Sequence, residues 1–181
     1  LFGIGSLAIS AYKHSSRSIV VPRGPFFTGL PEEEGARLSS RERGKTKEEL
    51  LSTVENRQSD EKEIVISLQE LERRNLIDTI KPEILLSHSS SVIRLAVLRA
   101  LGTSSRPLPK KAVDLGLMDR DWAVREEAGF LLKEKGDQTH LSLIRKAFLQ
   151  ESKKSVREIF LDALNQIQRK TTSNNGEHPL E

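Results

Sequence analysis

Val124-Arg125-Glu126-Glu127-Ala128-Gly129-Phe130-Leu131-Leu132, residues 124–132, is the stretch that decides the fold. Val124, Ala128, Leu131 and Leu132 stand at positions 0, +4, +7 and +8, which is one face of an α-helix. The same arrangement recurs in Ile93-Arg94 to Leu101, 31 residues earlier, and in Val156-Arg157 to Leu164, 32 residues later. Each copy opens with a β-branched residue followed by arginine. The positions at +4 are Val97, Ala128 and Phe160, and those at +7 and +8 are Ala100-Leu101, Leu131-Leu132 and Ala163-Leu164.

A shorter apolar segment precedes each copy: Ile80, Ile84 and Leu85, then Ala112, Val113, Leu117 and Met118, then Leu141, Ile144 and Phe148. Breakers lie between the units, with two prolines in residues 102–109 and Gly136-Asp137 after the second copy. The repeating unit is therefore a short helix, a tight turn and a longer helix. Neither helix buries its stripe alone, so neighbouring units have to stack to make one core. Upstream, Thr46 is placed to cap a helix containing Leu50, Leu51 and Val54. Asp60 with Glu63 has capping-box spacing ahead of Ile64, Val65, Leu68 and Leu71. These two helices read as an atypical first unit.

The run from Leu117 through Asp119, Asp121, Trp122, Val124 and Arg125 to Ala128 resembles the HEAT repeat, in particular its short bacterial HEAT-like form, which is also found in proteins related to phycobilisome lyases. The resemblance covers about half the chain. It implies an all-α fold of the α-α superhelix type, a short HEAT-like solenoid, whose second helices line a concave surface used for protein–protein assembly. It further implies that Arg125, and by analogy Arg94 and Arg157, bonds to acidic or backbone groups near the turns between repeats, with Asp119 and Asp121 as the acidic turn. The other two units have serines there instead, Ser89 to Ser91 and Ser152 with Ser155, which speaks against a continuous Asp–Arg ladder.

Positions facing away from the apolar stripe are the candidate partner-binding surface: Leu95, Leu98 and Arg99, then Glu126, Gly129, Phe130 and Lys133, then Glu158, Leu161 and Asp162. Leu95, Leu98, Phe130 and Leu161 are more apolar than a solvated face requires, and a contiguous exposed patch of this kind marks an interaction site. Trp122 reads as a local plug at a helix entrance.

Catalytic signals do not emerge. With no cysteine there is no disulfide, thiolate metal site or thiol nucleophile. His14, His88, His140 and His178 are scattered, without the spacing a metal site needs, and there is no glycine-rich phosphate loop. The net charge of +3 is spread out, and Lys110-Lys111, Arg145-Lys146 and Lys153-Lys154 are ordinary solvated pairs, so no nucleic-acid-binding face is expected. The reading is a non-catalytic scaffold without cofactor or metal. The alternative, from the resemblance alone, is a lyase or lyase subunit for bilin attachment.

The remainder of the chain reads as attachments to a repeat domain at 47–168. Residues 1–12 are uncharged and mostly apolar, and Lys13, His14 and Arg17 follow. Twelve residues span about 18 Å as a helix, so they read as part of a membrane anchor or a signal-peptide remnant. The basic flank favours a cytoplasmic repeat domain at a membrane. Residues 13–46 read as a flexible linker whose apolar cluster, Ile19 to Val21 with Phe26, Phe27 and Leu30, docks on a partner or folds back. Residues 169–181 read as a disordered polar tail.

Overall fold

Thr46 begins the first long helix as its spacing to Glu49 predicts. Its hydroxyl accepts the Glu49 N–H at 3.2 Å, and the Glu49 carboxylate accepts the Thr46 N–H at 2.6 Å. The reciprocal pair satisfies two donors that a helix start otherwise leaves orphaned. The structure, a computed structural model, describes residue 37 and residues 40–175. Its α-helices are α1 (Lys47–Glu55), α2 (Glu61–Arg73), α3 (Pro82–Leu86), α4 (Ser91–Thr103), α5 (Lys110–Leu117), α6 (Trp122–Lys135), α7 (Leu141–Gln150) and α8 (Lys154–Asn175), with 3-10 turns at Ile77–Thr79 and Gln138–His140. Residues 40–44 are also helical, and no strand occurs among the described residues.

The helices pack in two rows. Helices α2, α4, α6 and α8 lie against one another in that order, and α1, α3, α5 and α7 do the same. Each odd-numbered helix also packs on the helix that follows it in sequence. The twelve stripe residues of α4, α6 and α8, from Ile93 to Leu164, are all buried between the rows. Fully burying a valine, leucine, isoleucine or phenylalanine is worth about 1.5–3 kcal/mol, and all but Ala100, Ala128 and Ala163 of the stripe are of that size, so the stripe is the main apolar support of the fold. In the other row Leu85, Ala112, Val113, Leu117 and Ile144 are buried, whereas Ile84 and Met118 are partly open to solvent.

Local chemistry sets the helix ends. Ser90 and Asp121 accept N–H groups at the starts of α4 and α6. Asp60 caps α2 through the Lys62 N–H at 2.9 Å, but Glu63 does not close the expected box. It pairs instead with Arg41 at 2.8 Å. At the far end of α2, Asn75 takes φ of 56°, and the Leu76 N–H returns to the Leu71 carbonyl at 2.8 Å. This is a Schellman closure with asparagine in the left-handed position.

Both boundaries of the packed body lie further out than the sequence reading placed them. Residues 40–46, read as linker, carry a helical segment fastened to α2. Arg74 donates to the carbonyls of Lys45 at 2.8 Å and Arg43 at 2.9 Å, and the buried Glu42 carboxylate accepts the Ser67 hydroxyl at 2.9 Å. Residues 169–175, read as tail, continue α8, and Lys170 bonds back to the Glu134 carbonyl at 2.8 Å. The anchor reading for residues 1–12, the rest of the linker apart from residue 37, and residues 176–181 fall outside the described residues. Among the described residues no helix is long and apolar enough to cross a membrane.

Candidate interaction surface

Two of the joints between successive units lie at the start of a long helix. Arg94 forks onto Asp119, with Nε to Oδ2 at 2.7 Å and Nη2 to Oδ1 at 2.8 Å, and its Nη1 donates to the carbonyls of His88 and Ser89 at 2.8 Å. Arg125 repeats the geometry on Glu151, Nε to Oε2 at 2.6 Å and Nη2 to Oε1 at 3.1 Å, while Nη1 reaches the Asp119 carbonyl at 2.8 Å. Both guanidiniums are held above their ordinary pKa, first by the hydrogen bond to the carboxylate. Glu151 is held below its ordinary range, first by Arg125. The planar fork suits a carboxylate, which lysine would engage only as a point charge.

The acceptors share one turn geometry. Asp119 Oδ1 accepts the Asp121 N–H and Glu151 Oε1 accepts the Lys153 N–H, both at 2.8 Å. His88 Nδ1 accepts the Ser90 N–H at 3.1 Å. The sequence reading put serines where acids were needed in two units. In the last described unit the acid is Glu151, directly before Ser152, so the arginine–carboxylate series runs further than the serines suggested. Asp121, expected to share that role, is the cap of α6, and the Ala123 N–H is the first cause of its lowered pKa. Among the described residues Arg157 makes no such rung. It is exposed and lies over the Phe148 ring at 4.8 Å.

The opposite ends of the long helices are joined by lysines that the sequence reading did not single out. Lys135 of α6 donates to the carbonyls of Leu101, at 3.2 Å, and of Ser104 at the end of α4. Lys170 of α8 does the same for α6 through Lys133 and Glu134. A cation at these orphaned carbonyls complements the negative end of the helix. Burial pulls the Lys135 ammonium below its ordinary pKa.

The expected partner-binding set divides into four groups. Leu98 is 0% exposed. It points toward α5, where a Cβ on Gly116 would lie 3.1 Å from it, so it belongs to the core and not to the surface. Gly129, its counterpart on α6, is buried too, and the missing side chain lets Ile159 and Phe160 of α8 come close. Leu95 and Glu126 are half-buried, Leu95 against the core. Arg99 pairs with Glu127 at 3.1 Å, and Lys133 pairs with Asp162 at 3.1 Å, tying α4 to α6 and α6 to α8. Phe130 remains 42% exposed and Leu161 46% exposed, and Glu158 is also open. Trp122 is not the plug expected. Half its surface is open, and the Lys153 ammonium lies over its ring.

A cavity of about 510 Å³ opens beside the turns, lined by Arg57, Leu86, Ser87, His88, Ser89, Arg94, Asp119 and Arg120. Its lining runs from Arg57 of the first unit past the second unit's turn to the Arg94–Asp119 rung, and the first unit adds no rung of its own, since α2 carries Ile64 and Val65 where α4 and α6 carry arginine. On its other side Arg120 donates to the Ser89 carbonyl at 2.8 Å, joining the second unit to the third. Among the described residues, no group of three or more His, Asp or Glu is arranged to hold a metal ion. No protein-family model, curated protein or solved structure matches the chain.

Proposed function

We propose that this protein is a non-catalytic scaffold of HEAT-like helical repeats, an α-α superhelix that binds a protein partner through the open side of its long-helix row and is tethered to a membrane through its N-terminal segment. The observation that carries the reading is Phe130, 42% exposed on α6. It lies one helical turn from Glu127 and one from Lys133, whose ion pairs lead to α4 and α8. A large aromatic side chain presented on a row braced from both sides is the kind of anchor that dominates protein interfaces. Charges around it, including Arg99 and Asp162, tune specificity more than affinity.

The test is capture from detergent-solubilised membranes by the full chain and by its Phe130→Asp variant, with far-UV circular dichroism on both. The reading expects a protein enriched by the unaltered chain to be lost with Phe130→Asp while helicity is unchanged. Equal enrichment by both chains rejects this face as the binding surface.

A further inference from the structure

The repeat register shows which residues an adjoining unit would cover, and on the last described unit those positions are open among the described residues. Leu86 is 4% exposed and Leu117 1%, whereas Leu149, the next in the series at the end of α7, is 80% exposed. Leu98 and Gly129 are buried against the unit that follows each of them, whereas Leu161 is open. Arg94 and Arg125 are forked on a carboxylate of the following unit. Arg157 pairs with no carboxylate among the described residues and rests on Phe148. Three positions, two apolar and one cationic, thus keep the pattern of an internal interface whose second half is absent among the described residues.

Resting on the repeat reading, we propose that this flank, formed by Leu149, Arg157 and Leu161, docks a partner protein's pair of helices whose connecting turn presents a carboxylate. The two internal interfaces specify that chemistry. In each, the arginine's acid lies in the turn between two helices and also accepts the N–H two residues later. Leu98 lies against Gly116 on the helix before such a turn, and Gly129 lies against Ile159 and Phe160 on the helix after one. Docking on α8 continues an interface that the chain already makes twice, and it supplies Arg157 with the forked partner that Arg94 and Arg125 have.

The chain contains no cysteine, so Leu161→Cys in the full protein takes a single environment-sensitive fluorophore. The probe is a synthetic peptide of residues 138–172, which carries Glu151 in its turn. The proposal expects a monomeric chain whose fluorescence shifts on titration with the peptide. Arg157→Glu weakens this binding at least about tenfold, and a peptide with Glu151→Arg restores it against that variant. No shift, or a shift indifferent to both charge changes, overturns the proposal. So does concentration-dependent dimerisation abolished by Arg157→Glu, which would make a second copy the occupant. A label already shielded in the unliganded chain and uncovered by deleting residues 1–36 would likewise overturn it, by assigning the flank to the chain's own N-terminal segment. Phe130→Asp leaves peptide binding unchanged, so failure on this flank is separable from failure of the open-face reading.

Discussion

Glu151 holds Arg125 with both carboxylate oxygens, at 2.6 and 3.1 Å, while one of those oxygens also accepts the Lys153 N–H at 2.8 Å. Asp119 holds Arg94 in the same way one unit earlier. Each acid therefore shapes its own turn and fastens the preceding long helix to it. The lysines at the other end, Lys135 and Lys170, fasten in the reverse direction, from a later helix to the carbonyls of an earlier one.

The Arg94–Asp119 rung gives the sharpest stability test, because Arg94 is 3% exposed. Asp119→Ala strands a buried guanidinium and should cost about 3–5 kcal/mol, read as a lower urea midpoint in denaturation followed by circular dichroism. Replacing both partners with apolar residues, as in Arg94→Met with Asp119→Leu, should recover most of that loss. If the single substitution is as mild as a surface change, the rung is not a fastening.

Acid should loosen the protein in a defined window. Glu70 is pulled from 4.5 to about 2, first by its hydrogen bond to Arg73 and then by Arg74. Glu151 and Asp121 move the same way. A carboxyl whose folded pKa lies below its unfolded one adds stability above the unfolded value, and that stability is lost as pH falls through the folded value. The urea midpoint is therefore expected to hold steady near neutrality and decline from about pH 4.5 toward pH 2. Glu70→Gln should lower stability at pH 7 and flatten the decline. An unchanged acid limb would remove Glu70 from this account.

Gly129 measures the closeness of α6 and α8. A Cβ there would stand 2.8 Å from Ile159 Cγ2 and 2.9 Å from Phe160 Cδ1. Both are packed side chains, so Gly129→Ala should cost about 1–3 kcal/mol by overpacking despite alanine's better helix propensity. Gly129→Leu, which copies the residue found at Leu98 and Leu161, should be worse. Thermal unfolding of the two variants orders them, and a gain on Gly129→Ala would mean that the helices are looser than described.

Much of this architecture was legible because one physical requirement repeats. Val124, Ala128, Leu131 and Leu132 declare a helical stripe, and its copies at Ile93 and Val156 declare the stacking partners. Side-chain direction was less legible. Leu98 lies off the stripe by counting, yet it is buried, because a helix inside a row is covered on two flanks and not on one. Glu151 was overlooked although it stands 32 residues after Asp119, the spacing that separates Val156 from Val124. Ser152 directly follows it, so the acid is visible only through that spacing and not through the turn's composition. Lys135 and Lys170 carry no sequence signature, since a lysine that caps a neighbouring helix looks like any solvated lysine until the helices are placed. Residues 40–46 were read as linker because their polar composition conceals Glu42, whose burial depends on Ser67 and Lys45.

The stacking of successive helix pairs is tested most directly by pulsed electron paramagnetic resonance on the chain with spin labels at Thr103 of α4 and Asn165 of α8, both exposed. Two helix-to-helix steps of about 8–10 Å separate these helices, so a single narrow distribution at about 20–30 Å is expected once label length is included. A broad distribution, or a maximum beyond about 40 Å, would mean that the pairs do not pack in one continuous row.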